Sequence, residues 1–254
     1  MKILAITQAR IGSTRLPEKI LKTINGESIL EIHIKRILKS KRITKLKIAT
    51  TTEPGSEKIV SIANRLGIEV FKGSVNNVLE RFYFTAQSEN PDWIVRLTSD
   101  CPLIDPEVID NVIKFCLSNN LDYASNTLDP TFPDGIDVEV FKFTALEQAY
   151  IQAKLKSELE HVTPYIWKNS SYKGGDLFIS DCYKNDTDYS SYRLTVDTQE
   201  DFLVIQKLIG LLGIDVNWMT YVKELEKHSE IKQINEHFQR NEGYEKSIKE
   251  DKKN

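Results

Sequence analysis

Hydrophobic positions along the first half of the chain alternate between two periods. Short contiguous apolar runs are each followed by a stretch with apolar residues three and four apart, the pattern of strand then amphipathic helix. Residues 2–7, 47–51, 68–71 and 93–97 read as buried strands. Between them a helix is expected from Ser28, where Glu31 completes a capping box and Ile29, Leu30, Ile34, Ile37 and Leu38 share a face. Further helices are expected over 57–66, ended by Gly67, and over 77–87. Asp105-Pro106-Glu107 supplies an N-cap acid, a first-turn proline and a second acid, and Val108, Val112, Phe115 and Cys116 give the helix that follows an apolar face. This alternation predicts an α/β domain, a mainly parallel sheet with right-handed crossovers and helices on both faces.

After 123–125 the alternation breaks. Residues 128–181 carry a Pro-Asp-Gly turn, a strand over 136–141, helical stretches over 144–153 and 157–168, and Gly174-Gly175 before an apolar 177–179. We read this as an inserted α+β arm for substrate or for dimerisation, splitting one nucleotide-binding α/β domain into 1–127 and 182–227. The sheet is expected to resume at 192–196, with Thr198 and Asp201 capping a long helix to about residue 212. Residues 243–254 are expected to form a flexible, frayed tail.

Composition narrows the partners. The 254 residues are 40% hydrophobic with a formal net charge of −3, so no basic excess calls for nucleic acid. Three cysteines without CxxC spacing argue against a disulfide framework or a structural zinc site, and are read as packing. No stretch approaches the roughly 20 apolar residues of a membrane span, and the N-terminal apolar run is too short for a signal peptide. The expectation is a cytoplasmic protein with no membrane partner.

Against that mildly acidic background, 8–21 stands out, reading QARIGSTRLPEKIL directly behind the first strand. It sets Arg10, Arg15 and Lys19 around a Gly12-Ser13-Thr14 bend, a combination of arginine forks, ammonium and free amides that suits a polyphosphate. The spacing is not that of a Walker loop. Asp100 follows the strand 93–97, and Asp197 follows 192–196. Two such carboxylates could converge on one magnesium ion beside a triphosphate; each could also simply shape a turn or a helix start. A second acidic group is Asp134, Asp137, Glu139 and Glu160, with His161. Asp137 and Glu139 alternate on one face of a strand and could line a cleft. Among the histidines only His161 is nominated for substrate contact.

Ordered blocks add a family resemblance. QARIGSTRLPEK, NNVLERFY at 76–83, RLTSDCPLIDP at 96–106, FPDGIDVEVF at 132–141, EHVTPYIW at 160–167 and LTVDTQEDF at 194–202 resemble the sugar-acid cytidylyltransferases. That group includes the CMP-Kdo and CMP-acylneuraminate synthetases, and the match is closest to its SpsF-type spore-coat members. The resemblance implies a Rossmann-like (GT-A-like) fold and transfer of CMP from CTP to a sugar or sugar-acid hydroxyl with release of pyrophosphate. It also implies Mg2+ as cofactor, held by Asp100 and Asp197. Arg10, Arg15 and Lys19 would hold phosphates, with Ser13 contributing a hydroxyl or amide. Asn77 and Arg81 fall in the block near the base, and a homodimer through the arm is implied. One departure is Thr195, where sialic-acid-type members carry the first acid of an Asp-x-Asp; Kdo-type members also have one acid here. Two competing readings are a GT-A-like glycosyltransferase, which would usually show an Asp-x-Asp at the donor site where Asp100-Cys101-Pro102 lacks the second acid, and a nucleotide-binding protein without turnover.

Overall fold

The structure, a computed structural model, describes residues 1–13 and 15–252; Thr14 of the expected bend and the last two residues of the expected tail lie outside the described residues. In chain order the strands are β1 (Ile3–Gln8), β2 (Thr23–Ile24), β3 (Glu27–Ser28), β4 (Lys45–Thr51), β5 (Glu69–Gly73), β6 (Trp93–Thr98), β7 (Tyr123–Ser125), β8 (Glu139–Lys142) and β9 (Ser180–Cys182). The helices are α1 (Ile29–Ile37), α2 (Ser56–Arg65), α3 (Val78–Gln87), α4 (Pro106–Ser118), α5 (Phe143–Gln152), α6 (Lys156–His161), α7 (Pro164–Lys168), α8 (Gln199–Leu212), α9 (Trp218–Lys227), α10 (Ser229–Lys232) and α11 (Glu242–Asp251).

One sheet runs in the order β5-β4-β1-β6-β8-β7-β9. β5, β4, β1 and β6 pair in parallel; β8 is antiparallel to both β6 and β7, and β7 is parallel to β9, so β8 alone opposes the others. β1 lies in the interior of the sheet because both its faces are apolar: Ile3 and Ala5 enter one buried cluster, Leu4 and Ile6 the other. The first cluster is covered by α1, α2, α4, α8 and α9, the second by α3, α5 and α7.

The expected caps form. Ser28 and Glu31 close a capping box on α1, Asp105 caps α4 with Pro106 in the first turn, and Thr198 and Asp201 close the box on α8. Three expectations change. The strand of the supposed arm is β8, an interior member of the main sheet with Val140 opposite Val95. Because β8 fills the slot beside β6, residues 192–196 form no ladder strand. They cross the strand ends instead, with one bridge from Arg193 to Asp134. The tail segment is helical: α11 packs on α6 through a hydroxyl of Ser247, 3% exposed, that donates to Glu160 at 2.8 Å, and through the ring of Tyr244 against His161.

Candidate active site

The ends of β1 and β6 and the 192–197 segment meet at one place. Val196 donates its N–H to the Asp100 carbonyl at 2.8 Å, and the Thr195 hydroxyl donates to the same oxygen at 3.2 Å. Thr195 therefore clips together the two loops that carry the expected acids. Lys19, at the start of a 3-10 turn Lys19–Leu21, sends its Nζ between them, 2.7 Å from Asp100 Oδ2 and 2.6 Å from Asp197 Oδ1. The paired carboxylates raise the Lys19 ammonium above its ordinary range against the effect of burial, and Lys19 holds the Asp100 carboxyl down at about 2. Arg15 donates to Asp197 Oδ2 at 2.9 Å and to Glu242 at 2.5 Å.

A buried arginine that sequence reasoning missed supports this centre. Arg193, 7% exposed, donates from Nε to Asp201 at 2.8 Å, from Nη1 to Asp134 at 2.6 Å, and approaches Asp197 Oδ2 at 3.5 Å. Asp201 in turn accepts the Asp197 N–H at 2.9 Å, so the α8 cap also fixes the acid. The Pro-Asp-Gly turn is more than a turn signal. Gly135 has φ +102°, and a Cβ there would lie 2.5 Å from the Leu194 backbone, so only glycine lets Asp134 reach Arg193. The signal for Arg193 was its place between two motif blocks, but nothing in spacing says which carboxylates it faces.

The second acidic group is paired rather than free. Glu139, 6% exposed, accepts from Tyr123 at 2.7 Å and Thr163 at 2.5 Å and is bonded to Arg96, its register partner on β6. Its expected cleft-lining role is thus replaced by a buried network. Asp137 lies just before β8 and is bonded to Arg240 of the C-terminal segment, whose Nη1 also donates to the Phe132 carbonyl at 3.0 Å. Burial and the adjacent Asp137 push Asp134 up to about 7 despite Arg193. Glu160 and His161 both meet Ser247 of α11, and burial takes the His161 imidazole down to about 4. Val162, directly after it, sits at φ 71°, a strained conformation for a β-branched residue that ends α6 and starts the turn into α7.

The expected base-side pair serves local structure. Asn77 caps α3, its Oδ1 accepting from Glu80 at 2.9 Å, and Arg81, 2% exposed, donates to the Ser74 carbonyl at 2.6 Å. Burial lowers Arg81 to about 10, with Arg10 acting in the same direction. Arg10 is exposed on the loop, and Ser13 turns inward to accept the Leu16 N–H at 3.4 Å. Lys19, Arg15, Asp100 and Asp197 are thus gathered in one place, Asp134 is joined to them through Arg193, and Asn77 and Arg81 bond within their own segment, with Arg81 near enough to Arg10 to feel its charge.

Among the described residues no cluster of three or more His, Cys, Asp or Glu could by itself hold a metal. The pair nevertheless fits an ion that draws its remaining ligands from phosphates and water, because both carboxylates already converge on one cationic atom, Lys19 Nζ.

The family model described as Cytidylyltransferase matches residues 4–247. The chain belongs to the cytidylyltransferase family. As a member it is a CTP-dependent nucleotidyltransferase, and the resemblance drawn from the sequence blocks holds. It is 40% identical over 239 residues to an uncharacterized protein of Methanocaldococcus jannaschii, MJ1063, covering 92% of this chain and 95% of that one. It is 35% identical over 217 residues to the spore coat polysaccharide biosynthesis protein SpsF of Bacillus subtilis, covering 83% and 88%. A solved cytidylyltransferase from Leptospira borgpetersenii superposes with a TM-score of 0.86 at 34% identity, over 94% of this chain and all of that one. The α/β fold is also that of a CMP-2-keto-3-deoxy-manno-octonic acid synthetase solved with CTP, at a TM-score of 0.60 and 16% identity over 83% of this chain and 99% of that one. No helix among the described residues is long and apolar enough to cross a membrane.

Proposed function

We propose that this cytidylyltransferase transfers CMP from CTP to a hydroxyl of a sugar acid for surface polysaccharide synthesis, with Asp100 and Asp197 as the metal-binding acids. The observation that carries the reading is the convergence of those two acids, from different parts of the chain, on Lys19 beside the basic loop. The acceptor oxygen attacks the α-phosphorus, the bond from that phosphorus to the bridging oxygen breaks, pyrophosphate leaves and the hydroxyl proton is lost. In this reading Arg10, Arg15 and Lys19 bind the phosphates and carry the charge of the leaving group. Arg193 and the α8 cap hold Asp197 in place, and Thr195 keeps Asp100 beside it. A Mg2+ ion bound by the two acids would polarise the α-phosphate.

An acidic cluster around Asp134 to Glu139 would on its face repel an anionic acceptor. Each acid there is partnered by an arginine, Asp134 by Arg193, Asp137 by Arg240 and Glu139 by Arg96, which lessens that repulsion and keeps a sugar acid open beside a neutral sugar. The SpsF relative, named for spore coat polysaccharide, supports the pathway class. We further infer a homodimer, in the cytoplasm where CTP is made.

The test is pyrophosphate release from CTP with a panel of sugar acids and neutral sugars. Asp100→Asn and Asp197→Asn should each lower turnover by about a hundredfold or more while CTP still binds, with the double variant no worse than either single. Turnover near the wild-type rate in either single variant would remove that acid from the mechanism.

A further inference from the structure

We propose that Lys19 is the resident counter-ion of the Asp100–Asp197 pair in the nucleotide-free protein, and that a divalent metal gains this pair only when a nucleoside triphosphate draws Lys19 away. This rests on the assignment of that pair as the metal-binding acids. Lys19 Nζ lies 2.7 Å from Asp100 and 2.6 Å from Asp197, on one oxygen of each, with the side chain only 14% exposed. A magnesium-sized ion needs oxygens at about 2.1 Å, so one taken up by both of these oxygens would lie against the ammonium. Ammonium and dication cannot share the position.

Charge around the pair points the same way. Asp197 also faces Arg15 at 2.9 Å and Arg193 at 3.5 Å, while Arg193 is shared with Asp134 and Asp201. Two carboxylates therefore already meet three cationic side chains. A dication arriving alone would add like charge to a centre whose acids are satisfied. A triphosphate changes the balance: its oxygens can take Lys19 and Arg15, which frees the carboxylates for metal. Lys19 is able to make that move, since it reaches the pair from a short turn through a flexible stem, whereas Arg193 is locked by its bidentate bond to Asp201. Metal and nucleotide are then positively coupled, and the coupling runs through one side chain.

The experiment measures Mn2+ binding to nucleotide-free protein by the loss of the free-ion paramagnetic resonance signal. Wild type should bind Mn2+ weakly. Lys19→Met should bind it at least about tenfold more tightly, and Lys19→Arg, which keeps the charge, should resemble wild type. The gain in Lys19→Met should vanish when Asp197→Asn is added. Mn2+ binding to nucleotide-free wild type as tight as to Lys19→Met would overturn the proposal, as would a gain that survives Asp197→Asn. If Lys19→Met does not fold, tight Mn2+ binding by nucleotide-free wild type alone would overturn it. The arm that separates this from the underlying assignment is CTP binding to wild type with and without Mn2+. An Mn2+-dependent gain there that is lost in Asp197→Asn upholds the metal site whatever Lys19 does, and no such gain in wild type would sink the assignment itself.

Discussion

His33 is fully buried between two parts of the candidate site. One ring nitrogen bonds the Thr7 hydroxyl at 2.9 Å, on the strand that leads into the basic loop, and the other bonds the Cys101 carbonyl at 2.8 Å, next to Asp100. Burial takes its imidazole from 6.5 to about 4. The unfolded chain binds a proton as pH falls below about 6.5 whereas the native ring resists until about 4, so stability is lost as pH falls through that window. The full shift corresponds to on the order of 3 kcal/mol. His161 shifts in the same direction and adds to the loss, while Asp134, raised to about 7, acts in the opposite sense. Comparing wild type with His33→Asn isolates the first contribution. Urea unfolding near pH 7 and at about pH 4.5 should show a smaller loss of stability on acidification in the variant, and equal losses would refute the assignment.

At the level of elements, α11 decides more than its charged sequence suggests. Its first residue, Glu242, pairs with Arg15, and both side chains are 41% exposed, so the pair adds little to stability but occupies a donor that we propose for the phosphates. Further along, Tyr244 meets His161 and Trp167 edge-on, Ser247 bonds Glu160, and Asp251 accepts the Ser157 N–H at 2.9 Å. Glu242→Gln should therefore tighten CTP binding by about two- to fivefold with an unchanged melting temperature. Tyr244→Ala should instead lower the melting temperature and weaken acceptor binding, by about 1 to 3 kcal/mol of stability. Isothermal titration with CTP and a thermal melt separate the two; weaker CTP binding in Glu242→Gln would show that the pair assists rather than competes.

For the whole molecule, aromatic residues of the segment expected to carry the dimer mostly pack within the chain. Phe141 is buried, Phe143 and Tyr150 stack on Tyr83, and Trp167 meets Tyr244. One exposed apolar patch lies on α3 and α5, where Phe84 is 37% and Ile151 66% exposed and the Phe84 ring lies 5.6 Å from Tyr150. The expected homodimer should close over this patch. Light scattering should give a dimer mass for wild type and a monomer for Ile151→Lys; a wild-type monomer would remove the dimer, and a dimeric variant would move its interface elsewhere.

The order of strands and helices in the first half, the caps at Ser28, Asp105 and Thr198, and the basic loop behind β1 were legible in the sequence, because periodicity, capping and local charge act over a few residues. Asp100 and Asp197 could be nominated from their places after apolar runs, yet nothing local said that Lys19 lies between them or that Arg193 braces one of them. Those pairings depend on distance in space. They were decided when β8 took the slot beside β6 and left 192–197 to cross the strand ends. The same holds for Glu139, whose alternation looked like a cleft face until its register with Arg96 buried it, and for α11, whose polar composition gave no sign that Ser247 and Tyr244 had partners on α6 and α7. A strand pattern tells which faces are apolar, but which neighbour covers each face is a long-range contact, and only the folded chain supplies it.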